Sequence, residues 1–228
     1  MIRVEFHCHT IKSKDSLTTL ADLLEACNRK NIDRIVITDH NTIAGALLAR
    51  DLAPERVIIG EEIMTQDGEI LAAFVQEEIP PSLSPMEVIT RLREQNAFIS
   101  ISHPFDKLRD GHWKLESLLD IMPHVDAIEI FNSRNMWPSG NKQAKEFAKK
   151  HRLLGTVGSD AHTAYEIGKS TILLQEFKDA NSLKSALLNA RYETKHSGFW
   201  IHFTSRYAVW KKDWMKRKKR LRFPNSTS

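Results

Sequence analysis

Residues 1–9 read M-I-R-V-E-F-H-C-H, an apolar run of strand length that ends in two histidines one residue apart. On a strand, side chains at i and i+2 share a face, so His7 and His9 aim two imidazoles at one place while Cys8 points away. Such a pair is the beginning of a metal grip. Its weight depends on whether other strands end alike.

Apolar runs suited to buried strands recur at residues 2–6, 34–38, 57–59, 70–75, 98–101, 127–131 and 153–157. Helical patterns with apolar residues at i, i+3 and i+4 lie between most of them, at 17–30, 44–51, 85–95, 142–151 and 182–190. Strand and helix in alternation predict a parallel α/β sheet or barrel. Ser84, Pro85 and Glu87 supply an N-cap, a Pro at the first helical position and the acid of a capping box. Alternation breaks once, where Asp67-Gly68 between two apolar runs reads as a hairpin turn and makes the third and fourth strands antiparallel neighbours.

The strand ends share a chemistry. Asp39-His40 closes the second run in T-D-H-N-T, Glu61-Glu62 the third, and His103 the fifth in S-H-P-F-D; Asp160-Ala161-His162 follows the seventh in G-S-D-A-H-T. In a barrel of parallel strands the carboxyl ends converge on one rim, so residues far apart in sequence meet there. Asp160 and His162 repeat the i, i+2 logic of the first pair. Each site also has a structural reading, such as Asp39 or Asn41 capping the helix that starts near Thr42. Charged groups at so many buried strand ends are, however, normally paired or metal-bound. Imidazole and carboxylate without thiolate suit Zn, Mn or Fe, and so many candidates exceed the needs of one ion.

In this order, H-C-H-T with Asp15 beyond, T-D-H-N-T, G-E-E-I, S-H-P-F-D and G-S-D-A-H-T resemble the PHP superfamily, named for polymerase and histidinol phosphatase domains. The resemblance spans residues 2–174. It implies a distorted (β/α)7 TIM-like barrel that holds two or three divalent metal ions and hydrolyses phosphoesters. Carried over by position, His7, His9 and Asp160 resemble the ligands of one metal, bridged through Glu62 to a second that His103 also holds. Asp15, His40 and His162 resemble those of a third. The choice of Glu62 over Glu61 follows the family's G-x-E pattern. One position departs: many members carry a histidine where this chain has Glu69, in Gly68-Glu69-Ile70-Leu71. Across the hairpin, Glu69 shares its facing parity with Glu62 and is expected to ligate in the histidine's place.

Catalysis on this reading uses a metal-activated hydroxide. Arg134 in F-N-S-R, and after it Lys12, are the expected cations for a bound phosphate. The expected substrate is a small phosphorylated metabolite or nucleotide; the alternatives are a nuclease or phosphatase on nucleic acid ends and a non-catalytic binding module. His112, His124, His151, His196 and His202 lack strand-end spacing and read as structural or exposed.

The formal charge is +4 over 228 residues. Residues 195–222 hold ten Lys or Arg against Asp213 alone, about +9, so the rest of the chain carries about −5. Residues 1–194 therefore read as the metallohydrolase domain and 195–228 as a basic, aromatic-rich extension able to meet nucleic acid or an anionic surface. Two cysteines, Cys8 and Cys27, build no disulfide framework. Neither a signal-peptide pattern nor a transmembrane run is legible, and the expected location is cytoplasmic. The sequence leaves the oligomeric state open.

Overall fold

The computed structural model describes residues 1–109, 111–198 and 200–222. Asp110, Phe199, residues 223–228 and the side chains of His202, Lys216, Lys219, Arg220, Leu221 and Arg222 lie outside the described residues, and with them part of the basic extension.

The chain runs β1 (Ile2–Glu5), α1 (Leu20–Arg29), β2 (Arg34–Ile37), α2 (Ala44–Leu52), β3 (Val57–Met64), β4 (Glu69–Ala73), α3 (Pro85–Glu94), β5 (Phe98–Ile101), α4 (Leu115–Ile121), β6 (Ala127–Asn132), α5 (Pro138–His151), β7 (Leu154–Gly158), β8 (Ser170–Leu174), α6 (Ala180–Leu187), β9 (Arg191–Thr194) and α7 (Ile201–Arg222). The strands form one nine-stranded sheet in the order β7-β6-β5-β4-β3-β2-β1-β8-β9. It curls into a nearly closed barrel. Past the ends of β1 and β7, Cys8 bridges Ala161 in parallel and His9 N–H donates to the Ala161 carbonyl at 2.8 Å, joining the two flanks at one rim.

Strand direction decides what that rim receives. β1, β2 and β3 run parallel, as do β5, β6 and β7; β4 is antiparallel to both of its neighbours. Six strands thus bring their carboxyl ends to the rim, and β4 brings its first residue, Glu69. The hairpin forms as expected, with Met64 opposite Glu69 and Glu62 opposite Leu71.

Two apolar layers hold the barrel. Ile35, Ile37, Ile59, Ile70, Ile99 and Ile101 pack outward under the helices, with Leu23 and Leu92 among the covering residues. Val4, Phe6, Val36, Phe98 and Val157 fill the interior, and α6 seals it from below with Leu183 and Leu187. Lys184 of α6 pairs with Asp126, just before β6, at 3.4 Å. The floor is therefore closed opposite the rim.

Three local expectations change. Ser84 does cap α3 by accepting from Glu87 N–H at 3.3 Å, but the Glu87 carboxylate pairs with Arg91 at 2.8 Å instead of reaching back; the full capping box is at α6, between Asp179 and Ser182. α4 and the β8-β9 additions were not expected. Phe6 and Cys8 belong to different apolar layers, so the alternation of β1 does not pass unbroken into the histidines. Strand β1 ends at Glu5, and the pair stands just beyond it.

Candidate metal centre

At the rim, His7 Nε2 and His9 Nε2 lie 3.2 Å apart. Glu62 Oε2 is 3.3 Å from the first and 3.4 Å from the second; Asp160 Oδ1 is 3.6 and 3.2 Å from them. Bonds of about 2.0–2.1 Å in a tetrahedron separate ligand atoms by about 3.3–3.4 Å. Those five separations match that spacing. Glu62 Oε2 and Asp160 Oδ1 are also buried without a hydrogen-bond partner, a costly state for carboxylate oxygens that a cation between the four groups would relieve.

A second group stands on the other oxygen of Glu62. Oε1 lies 3.1 Å from His103 Nε2, which is 3.4 Å from Glu69 Oε2. Glu69 Oε1 faces His40 Nδ1 at 3.6 Å. A third group joins Asp15 Oδ2 to His40 Nε2 at 3.4 Å and to His162 Nε2 at 3.0 Å. The nine expected ligand residues are thus gathered in one cluster, Glu69 included. Three triads within it, His7-His9-Glu62, His40-Glu62-Glu69 and His9-His40-His162, keep their ligand atoms within 4.8 Å of one another. The donor set of imidazole nitrogen and carboxylate oxygen fits a divalent cation.

Neighbouring groups fix the ring orientations. Glu129 Oε1 pairs with His7 Nδ1 at 2.9 Å, and its Oε2 accepts from His103 N–H at 3.0 Å. Ser13 Oγ meets His9 Nδ1 at 3.1 Å and donates to Asp39 Oδ1 at 2.8 Å. Asp39 also accepts from Thr10 N–H and Thr10 Oγ1, both at 2.6 Å. It therefore braces the loop that carries Asp15, and the N-cap of α2 is Ile43, without a side-chain bond. Such outer partners set which ring nitrogen is free to ligate. A Cβ on Gly158 would stand 2.3 Å from His7 Cβ and 2.6 Å from Glu129 Oε1, so only glycine lets β7 pass here. Asp160 holds φ at +52°, a left-handed conformation that Asp tolerates better than most residues.

Charge balance in the cluster follows from its crowding. Burial lowers His9, and the neighbouring His162 and His40 rings lower it further, to about 3, so its imidazole is neutral with a lone pair to give. Burial also lowers His40, but Glu62 and Asp15 outweigh it and lift the ring to about 10. Burial raises Glu62 and Asp160, yet His7 and His40 hold the first well below the usual carboxylate range and Arg109 holds the second there.

Arg109, which the sequence reading did not single out, stands at the rim, and Arg134 is turned toward α7. Arg134 is 4 % exposed, with its guanidinium 3.5 Å from Glu166 and donating to the Ile201 carbonyl and Ser205 Oγ at 3.0 and 2.8 Å. Its donors clasp α7, and its charge adds to burial in lowering the His162 imidazole. Arg109, from the loop after β5, reaches Asp160 Oδ2 directly, lies 3.2 Å from His103 Nε2 and is braced by Asp106 at 3.2 Å. No strand-end pattern marks it in the sequence. Glu129 did leave a trace, as a lone acid inside the apolar run A-I-E-I-F. Lys12 is exposed on the loop between His9 and Asp15.

A nearly closed α/β barrel whose rim gathers imidazoles and carboxylates around room for divalent cations defines a class of metal-binding barrel proteins. A PHP-associated family profile matches residues 138–192. A protein of Methanocaldococcus jannaschii without a characterised function is 36% identical over 178 residues, covering 77% of this chain and 71% of its own. Among solved structures, a two-domain protein of Bacteroides vulgatus containing a predicted PHP-like metal-dependent phosphoesterase superposes with a TM-score of 0.69 at 18% identity, covering 85% of this chain and 65% of that one. The lesion-specific endonuclease EndoQ of Pyrococcus furiosus superposes at 0.56 with 14% identity, over 84% of this chain and 57% of its own. The chain belongs to the PHP superfamily.

Proposed function

We propose that this protein is a metal-dependent phosphoesterase that hydrolyses the phosphate ester of a small metabolite or nucleotide. The observation that carries the reading is the convergence of His7, His9, Glu62 and Asp160 at separations of 3.2–3.6 Å, beside two further imidazole and carboxylate groups. His7, His9, Asp160 and Glu62 would hold one cation of the Zn, Mn or Fe type; Glu62, His103 and Glu69 would hold a second, and Asp15, His40 and His162 a third. Bound there, such ions supply an acidified water and positive charge for the phosphate oxygens.

The chain's own residues do the rest. Glu129 and Ser13 keep the rings of His7 and His9 turned with Nε2 inward. Glu62, shared between groups, fixes their spacing. Arg109 offers planar N–H donors at the rim, the geometry that suits two phosphate oxygens at once. It takes the role expected of Arg134, with Lys12 the more exposed second cation. No side chain is required as a covalent nucleophile.

Metal content of the purified protein, followed by hydrolysis of an aryl phosphate and a panel of nucleotides, sugar phosphates and short oligonucleotides with Mn²⁺, tests this. Turnover of small esters that disappears in His9→Ala supports it. Preference for oligonucleotide ends moves the function to nucleic acid. Metal binding without hydrolysis of any ester leaves a non-catalytic module.

A further inference from the structure

Helix α7 carries its apolar face outward. Toward the barrel it presents Ile201 and Ala208, both buried, while the Ile201 carbonyl and Ser205 Oγ accept from Arg134. Lys212 Nζ donates to the Ile11 carbonyl at 2.7 Å and to that of Ser13, on the loop that leads to Asp15. On the opposite side, at spacings of three and four, stand Trp200, Phe203, Tyr207, Trp210 and Trp214, between 49% and 78% exposed. At 1.5 Å per residue the stripe is about 21 Å long. Helices laid on a protein normally turn this stripe inward.

The stripe is flanked by positive charge. Ring centroids are 5.7 Å apart for Trp200 and Phe203, 5.8 Å for Tyr207 and Trp210, and 6.4 Å for Trp210 and Trp214. By helical spacing Arg206 and Arg217 flank one edge and Lys211 and Lys218 the other. Asp213 is the one acid after residue 194. An exposed aromatic row of this length marks an interaction surface, and its charge calls for an anionic partner.

The geometry selects among such partners. A second copy would set like charges against each other along both edges. Bases of a single strand stack on ring faces. Trp210 and Trp214 are within 16° of parallel, and Lys218 Nζ sits 4.5 Å over the Trp214 ring, taking up one of its faces. A lipid interface suits a row of this kind, because Trp, Tyr and Phe bury their rings at headgroup depth while Lys and Arg extend to anionic headgroups.

We propose that α7 is a monotopic docking helix that seats the protein on an anionic lipid bilayer through Trp200, Phe203, Tyr207, Trp210 and Trp214. The assignment does not depend on the phosphoesterase reading. Lys212 and Arg134 then tie the seated helix to the rim of the barrel.

The test uses the full chain with phosphatidylcholine vesicles, and with vesicles in which about one-third of the lipid is phosphatidylglycerol. The protein should sediment with the anionic vesicles and not the neutral ones, with a blue shift of tryptophan emission. Arg206→Glu or Lys218→Glu should lower partitioning by about fivefold or more each. Trp210→Ser with Trp214→Ser should abolish both binding and blue shift at unchanged metal content and thermal midpoint, since both side chains are exposed. If that double variant does not fold, the two charge variants decide between the same outcomes: partitioning that neither of them lowers overturns the proposal. No binding to anionic vesicles, or binding that survives loss of both tryptophans, overturns it as well. So does tighter binding of a single-stranded oligonucleotide that competes with vesicles, or a dimer in solution that the tryptophan substitutions dissolve.

Discussion

Glu61 and Glu62 are adjacent, identical in chemistry and both fully buried, yet they face opposite sides of β3. Glu62 Oε2 lies 3.1–3.4 Å from His40, His7 and His9, and Oε1 accepts from Ser102 Oγ at 2.7 Å beside His103. Glu61 instead accepts from Ile79 N–H at 3.0 Å on the outer side. Glu62→Gln keeps the shape and removes the charge. In the metal-free protein it strands the charged rings of His7 and His40, a broken buried pair costing about 3–5 kcal/mol. With cations bound, it withdraws the carboxylate that two groups share. Loss of a few kcal/mol of transition-state stabilisation is on the order of a hundredfold or more in rate. The assay is metal content by mass spectrometry after dialysis, with phosphoester hydrolysis on the same samples. Glu62→Gln should lose at least one ion per chain and most of the rate, whereas Glu61→Gln should keep both. Full metal content and rate in Glu62→Gln would refute the bridging role, as would equal losses in the two variants.

Burial, with Glu78 nearby, holds the Glu61 carboxyl up at about 8. Its folded pKa exceeds the unfolded value of 4.5, so its contribution to stability is full below about 4.5 and fades as pH rises through about 8. Glu61→Gln should remove that decline, which denaturant titrations at pH 5 and pH 9 would reveal. Gly45→Ala would place a Cβ 2.0 Å from Asp39 Oδ2 and 2.4 Å from Thr10 Oγ1, at the brace of the Asp15 loop. A loss of about 1–3 kcal/mol from overpacking is expected in urea unfolding, together with weaker metal retention; a neutral result contradicts the packing described. Arg109→Ala should lower kcat/KM by on the order of a hundredfold or more while metal content is retained. Arg134→Ala should instead expose α7 to protease, since its guanidinium clasps Ile201 and Ser205.

Much of the rim was legible because five strands are short apolar runs followed by a histidine, aspartate or glutamate. The Asp67-Gly68 turn even fixed the facing of Glu69, since hairpin register follows from turn position. Glu61 and Glu62 were not separable that way. Inward phase depends on how the sheet curves, and at the end of β1 the alternation itself slips between Phe6 and Cys8. Glu129 and Glu5 lie inside apolar runs and not at their ends, where no spacing marks them; both are buried braces, with Glu5 accepting from His7, Ser159 and Gly168 and raised by burial to about 7. Arg109 left no signal, because a loop arginine gains its meaning only from the fold that places it against Asp160. β9, R-Y-E-T, is exposed at all four residues and exists as the edge partner of β8, so no local pattern announces it.

The bridge between Cys8 and Ala161 joins the beginning of the chain to a segment most of its length away. Contacts of such sequence separation form late, because the intervening chain must already be ordered to repay the loop closed. During synthesis the barrel therefore stays open at that flank until Asp160 and His162 have emerged, with His7 and His9 still lacking Asp160. Ions that bind only the closed form should then act as a latch on the seam, slowing its reopening and making resistance to unfolding depend on their supply.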